Sequence, residues 1–166
     1  GVPVNKMEQY ELSRKIGTVF QDPRSQFFAV NTTDEVAFGC ENLAFSTERI
    51  NQNVDAAFSR MNIDVLRDRS LFGLSSGEKQ RLAVASIYAM DTDVIVLDEP
   101  TSGLDRLHMT QVGGLLRKLA DRGKAVLVVT HDYELAALWC DRIIALEDEL
   151  HNEQGEEEDR LAWTSM

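Results

Sequence analysis

The chain has 166 residues, 43% of them hydrophobic, which is enough for one globular domain with a buried core, and its formal net charge is -11. No apolar run approaches the ~20 residues of a membrane-crossing helix, no signal peptide opens the chain, and Cys40 and Cys140 alone cannot make a disulfide framework. Nucleic acid is excluded as a main partner, because phosphate binding is driven by Lys and Arg, here 17 against 28 acids.

In chain order, Ile16-Gly17-Thr18-Val19-Phe20 is a short apolar run suited to a strand, and Gln21-Asp22-Pro23 follows it. A long, mainly helical insertion then runs from about Asp34 to Met90. Within it Ile50, Val54, Ala57, Phe58 and Met61 repeat at i, i+4, i+7, i+8 and i+11, an amphipathic helix. Leu74-Ser75-Ser76-Gly77-Glu78-Lys79-Gln80-Arg81 opens a further helix. Ser75-x-x-Glu78 fits a capping box, and the free N–H groups of that helix start, with Gly77 and the Ser75 hydroxyl, also suit an anion.

Val94–Leu97 is an apolar strand that ends in two carboxylates, Asp98 and Glu99. In an open α/β sheet, ligands bind at that end of the strands. Asp98 is suited to hold Mg²⁺, directly or through water. Glu99, one step on, can take a proton from an attacking water. Taken alone, Asp98-Glu99-Pro100 is no more than a strand end with two solvated acids; the surrounding motifs favour the catalytic reading.

Arg106 to Asp121 reads as another helix, with Leu115, Leu116 and Leu119 inward and Gly123 as its stop. Gly123-Lys124 is the only Gly-Lys pair, and Ala125 after it, with no earlier glycine, rules out a phosphate-cradling G-x-x-x-x-G-K-[ST] loop. Ala125–Val129 and Ile143–Leu146 read as two more strands. All four strands are expected to be buried on both faces. Residues 147–159 hold eight acids and no Lys or Arg, which reads as a solvated acidic tail. The fold expected is α/β, a parallel sheet with an inserted helical subdomain. Residues 1–33 and 91–148 form the core, 34–90 the insertion and 149–166 the tail.

These motifs together resemble an ATP-binding-cassette (ABC) ATPase subunit, through nearly the whole chain up to about Asp148. Leu74–Glu78 is similar to the family signature, with Ser76 where glycine is usual and Glu78 where glutamine is common. Val94–Glu99 resembles the Walker B strand, Ser102-Gly103-Leu104-Asp105 the D-loop, Gln21 the Q-loop glutamine and His131 the switch histidine. Phe20-Gln21-Asp22-Pro23-Arg24-Ser25-Gln26-Phe27-Phe28, with Asp34-Glu35-Val36-Ala37-Phe38-Gly39 and Glu41-Asn42-Leu43, resembles the energy-coupling-factor and cobalt-importer ATPases.

The resemblance implies a P-loop NTPase-type fold and phosphoryl transfer from Mg-ATP to water. Glu99 would polarise the water, His131 hold the γ-phosphate, and Asp98 and Gln21 serve Mg²⁺. Ser75, Ser76, Gly77 and Glu78 would serve the nucleotide of a second ATPase subunit, identical or paralogous. An integral-membrane partner would import a vitamin or transition-metal ion, placing the protein peripherally on the cytoplasmic face of the membrane. Gln21, Gln26, Phe27, Phe28 and Phe38 would lie near that contact, with ordinary core packing the expected job of the phenylalanines. The alternatives are a cassette ATPase without a membrane partner and a non-enzymatic fragment.

The chain departs from the family pattern in several places. Walker A and the adenine-stacking aromatic are expected ahead of Gly1, so the sequence reads as N-terminally truncated. Arg106 replaces a common proline, and Glu149-Leu150 stands where a glycine is usual. In the family, the strand leading into Walker A lies mid-sheet. Without it, Val94–Leu97 is expected to pair with Ile16–Phe20, and Ala125–Val129 with Ile143–Leu146. Either a gap separates these pairs or the two inner strands close up.

Overall fold

The computed structural model describes residues 3–146 and 163–164. Three strands, β1 (Ile16–Val19), β2 (Val94–Asp98) and β3 (Ala125–Val129), form a parallel sheet in the order β1-β2-β3. The register aligns Val19 with Leu97, Leu97 with Val128, and Asp98 with Val129. The first expected pairing is therefore present. The second is not: Ala125–Val129 pairs with β2, so the inner strands close up without a gap. The expected strand Ile143–Leu146 is only Ile143–Ile144 (β4), which pairs antiparallel with Trp163–Thr164 (β5).

Among the described residues the helices are α1 (Gln9–Lys15), α2 (Thr32–Asn42), α3 (Thr47–Arg60), α4 (Ser76–Ala89), α5 (Arg106–Ala120) and α6 (Tyr133–Trp139). Neither α1 nor α6 was marked by apolar periodicity; each is only seven residues long. Between β1 and β2 the chain forms α2, α3 and α4, with short 3₁₀ turns among them. α3 buries Val54, Ala57 and Phe58 as its spacing predicts. α5 ends at Ala120 and buries Val112, Leu115, Leu116 and Leu119, and Gly123 follows in the left-handed region at φ 84°.

Helix α4 occupies the centre, burying Leu82, Ala83, Val84, Ala85 and Ala89. Its small residues let it lie between α2, α3 and the sheet. At Gly17 a side chain is impossible without movement, because a Cβ there would sit 2.2 Å from Ile87 Cγ2 of α4. A continuous core joins Phe58, Ile63 and Leu66 of the helical layer to Val19, Ile95 and Leu97 of the sheet.

The strands are buried on one face only, not two. Gly17, Val19, Ile95 and Leu97 point into the core, with Val126 and Val128 partly buried beside them. On the opposite face Val94 and Val96 are half-buried, and Leu127 and Val129 are 53% and 51% exposed. The continuous apolar runs match strands covered on both sides, but among the described residues the helices that pack on the core all lie over one face. The acidic segment 147–159 lies outside the described residues.

Candidate functional site

The site is built where β1, β2 and β3 end. Because the strands are parallel and in register, Gln21, Asp98, Glu99 and His131 all leave the sheet at its C-terminal edge. The Gly123-Lys124 pair precedes β3 and so stands at the other end, where Lys124 Nζ is 2.7 Å from Asp91 Oδ1.

Glu99 is the most constrained residue of this edge. Its φ of 46° lies in the left-handed region, which costs a non-glycine residue about 1–2 kcal/mol. Its N–H donates to Val129 O at 2.8 Å, so β3 holds the backbone of the residue that follows β2. Its carboxylate is almost buried, with 14% of the side chain exposed. Oε1 accepts from the His131 N–H at 2.8 Å and lies 2.7 Å from His131 Nδ1, while Oε2 accepts from the Thr130 hydroxyl at 3.1 Å. Burial raises the carboxyl pKa, but the hydrogen bonds from the His131 ring and backbone and from Thr130 outweigh it. Glu99 is thereby held below the usual glutamate range, ionised, with one Oε2 lone pair not used by these three bonds. His131 leaves most of its ring in solvent, 83% exposed.

A support network lies behind this pair. Buried Thr101 donates to Asp132 Oδ2 at 3.1 Å. Asp132 Oδ1 caps α6 by accepting from the Glu134 and Leu135 N–H groups, and Asp132 N donates to the Thr130 hydroxyl. Thr101, Thr130 and Asp132 were not singled out from the sequence. The available signal was a Thr-x-Asp run between an apolar strand and a helix, an N-cap pattern that flags Asp132.

The capping box at Ser75 is present in full. Ser75 Oγ accepts from Glu78 N at 3.3 Å, and Glu78 Oε2 accepts from Ser75 N at 2.8 Å. The Ser75 backbone bond is the main reason that the Glu78 carboxyl lies below its ordinary value. Ser76 and Gly77 form the first turn of α4, where backbone N–H groups remain for an anion.

The turn Ser102-Gly103-Leu104-Asp105 follows Glu99 and ends as the N-cap of α5. Gly103 takes φ 71° there, and Asp105 accepts from His108 N at 2.9 Å and sits 2.7 Å from His108 Nδ1. The His108 ring also lies against Gly77, 3.3 Å from where its Cβ would be. The Ser102–Asp105 turn, through His108, and the start of α4 are thus neighbours, whereas no hydrogen bond among the described residues joins Ser75–Glu78 to Glu99 or His131.

Gln21 is exposed just beyond β1, and Asp98 is half-buried at the end of β2. This pair of hard oxygen donors suits Mg²⁺, which binds one or two protein oxygens and completes its shell with water and phosphate. Among the described residues no group of three or more His, Cys, Asp or Glu forms a metal cage. Phe28 is 72% exposed and stacks on Phe38 with centroids 5.1 Å apart. Core packing therefore fails for Phe28, while Phe27 does pack against the core.

Comparison with known proteins points the same way. The ABC transporter family model matches residues 1–102. An energy-coupling factor transporter ATP-binding protein, EcfA2 of Methanospirillum hungatei, is 44% identical over 137 residues, 82% of this chain and 34% of that protein. The solved structure of cbiO1 from Clostridium perfringens, part of the ABC transporter complex cbiONQ, superposes with TM-score 0.74 at 36% identity, covering 81% of this chain and 54% of that one. A dimeric ATP-binding cassette in a post-hydrolysis state, bound to ADP and Pi, gives TM-score 0.76 at 29% identity, covering 89% and 66%. The chain spans between 24% and 57% of the length of eight curated relatives, most of which carry only the general description of ABC transporter ATP-binding protein.

Proposed function

This chain belongs to the ABC transporter family, and we propose that it is the ATP-hydrolysing part of an importer subunit of the energy-coupling-factor type. One observation carries the catalytic reading: Glu99 and His131 hold each other at 2.7 Å at the sheet edge where Asp98 and Gln21 also emerge. Bound Mg-ATP would supply the phosphoryl group and the charge neutralisation of its transfer. Glu99, kept ionised, accepts the proton of an attacking water. His131 fixes the direction of the Glu99 carboxylate and presents its exposed ring edge to the phosphate side. Asp98 and Gln21 are the residues that would hold the metal. The α4 start, Ser75 to Glu78, serves the nucleotide of a facing subunit; among the described residues no hydrogen bond ties it to Glu99 of its own chain.

The importer part of the reading rests on the energy-coupling-factor relative and on the cbiO1 likeness. It also rests on exposed apolar residues further along the chain from Gln21. Phe28, Val30 and Phe72 stand in solvent. The bond from Leu71 N to Val30 O and the Asn31–Ser70 bridge bring their segments side by side. Such a patch, on a chain in which no helix among the described residues can cross a membrane, suits an apolar helix of an integral-membrane subunit. The cargo would be a vitamin or a transition-metal ion, and the site would lie on the cytoplasmic membrane face.

Mixing two inactive variants of the protein from the complete reading frame tests the shared site. Ser75→Arg and Glu99→Gln should each abolish ATP hydrolysis, and their mixture should recover part of it. Mixed dimers carry one site with an intact Glu99 and an intact facing Ser75. A mixture as inactive as its components would contradict the reading.

A further inference from the structure

The segment from Phe20 to Ala29 leaves the sheet, turns through a 3₁₀ element at Pro23–Gln26 and joins α2. It carries Gln21 yet makes few backbone bonds of its own, chiefly Ser25 N to Asp22 O at 3.1 Å. Among the described residues, Gln26 and Glu35 tie it to the rest of the fold. Gln26 Nε2 donates to Thr18 O at 2.9 Å, and Gln26 Oε1 accepts from Phe20 N at 2.8 Å. At the far end, the buried Glu35 of α2 accepts with Oε2 from both Phe28 N and Ala29 N, at 2.8 and 2.9 Å.

The Gln26 geometry has a particular meaning. β1 is an outer strand of this sheet, so one of its edges pairs with no strand among the described residues. A residue of a parallel neighbour would donate to the C=O of one β1 residue and accept from the N–H two residues on. The Gln26 carboxamide engages that same pair, Thr18 and Phe20, and so stands in for one peptide of a missing strand. A carboxamide donates and accepts at once in this place at any pH. An ionised carboxylate would accept from Phe20 but face the Thr18 carbonyl with no proton, and a thioether would do neither.

We propose that Gln26 is a positioning residue: it closes the free edge of β1 and thereby fixes where Gln21, the next residue after the clamped Phe20, stands beside Asp98. Glu35 is the counter-clamp that ties the same strap to α2, so a displacement of the helical layer reaches Gln21 through backbone held at both ends. The role given to Gln21 rests on the ATPase reading above; the clamp itself does not.

Three variants on the chain of 166 residues separate the contributions, read by amide exchange and by the Gln21 resonances in NMR spectra. Gln26→Met keeps the shape and removes both bonds. It should lower the protection of the Phe20 amide by about tenfold and shift Gln21, while Ile95 and Leu97 stay protected and report an intact fold. Gln26→Glu should keep the Phe20 amide protected at neutral pH, because its carboxylate still accepts there, yet shift Gln21 through the lost Thr18 bond; acid that protonates the carboxyl and lets it donate to Thr18 should restore the wild-type Gln21 resonances, a rescue that no loss of packing would produce. Glu35→Ala should release Phe28 and Ala29 but leave Phe20 protected. In the protein from the complete reading frame, Gln26→Met should raise the Mg²⁺ concentration for half-maximal ATP hydrolysis several-fold with a smaller change in kcat. Unchanged Phe20 protection, unmoved Gln21 resonances or an unchanged Mg²⁺ dependence in Gln26→Met would overturn the proposal. A wild type that does not hydrolyse ATP would strike the ATPase reading and leave the exchange data to judge the clamp.

Discussion

At the scale of single residues, the account turns on a carboxylate held in a place that it does not favour. Glu99 sits at positive φ, and its side chain is kept ionised by His131 and Thr130 against the effect of burial. A group whose folded pKa is depressed contributes stability above its unfolded value and loses it as pH falls through the folded one. Wild-type stability should therefore fall more steeply than that of Glu99→Gln as the pH drops below about 5, through the ordinary glutamate value of about 4.3 and on toward the lower folded one. Denaturant melts of both proteins across that window check this, and parallel curves would show that the Glu99 bonds add nothing. Glu99 and His131 were legible in the sequence because a strand that ends in two acids and a histidine after a later strand form an ordered pattern. Their direct contact was not legible, since it depends on β3 pairing with β2. Thr101 and Asp132 were missed because their bond spans 31 positions and neither residue type is distinctive alone.

At the scale of elements, local chemistry and sequence agree best where a helix begins. Ser75-x-x-Glu78 predicts a capping box and the box forms, because its partners lie within one turn. Ser75→Ala should cost about 1 kcal/mol of stability and leave the strand order intact, which a thermal melt with secondary-structure detection would show. Unchanged stability would mean that the Ser75 hydroxyl is not needed as a cap. The amphipathic α3 and α5 were equally legible, for their inward faces repeat at helical spacing. The short strands were harder. Val94–Leu97 announced itself by β-branched residues, yet nothing in Ala125–Val129 said which neighbour it would take. Pairing is decided by the sheet as a whole, and the closure of β3 onto β2 replaced the expected pairing with Ile143–Leu146.

At the scale of the whole molecule, a sheet covered on one face stands beside a site assembled at one edge. Leu127 and Val129 lie exposed on β3, an outer strand of the sheet with Val94 and Val96 half-buried on the same face. Open apolar strand edges and faces invite association. The chain of 166 residues should self-associate in sedimentation experiments, and Leu127→Lys with Val129→Lys should return it to a monomer. A wild type that stays monomeric at high concentration would count against the exposed face. The fold class was legible because alternating apolar strands and amphipathic helices leave few architectures. One-sided burial was not legible, since an apolar strand reads the same whether or not a second layer covers it. On the function proposed, this sheet edge is the hydrolytic half of an ATPase site, with Glu99 as its base. The most direct measurement is steady-state turnover of Mg-ATP by the protein from the complete reading frame, wild type against Glu99→Gln. A fall in kcat of at least about a hundredfold with ATP affinity unchanged is the result predicted; turnover near the wild-type rate would contradict it.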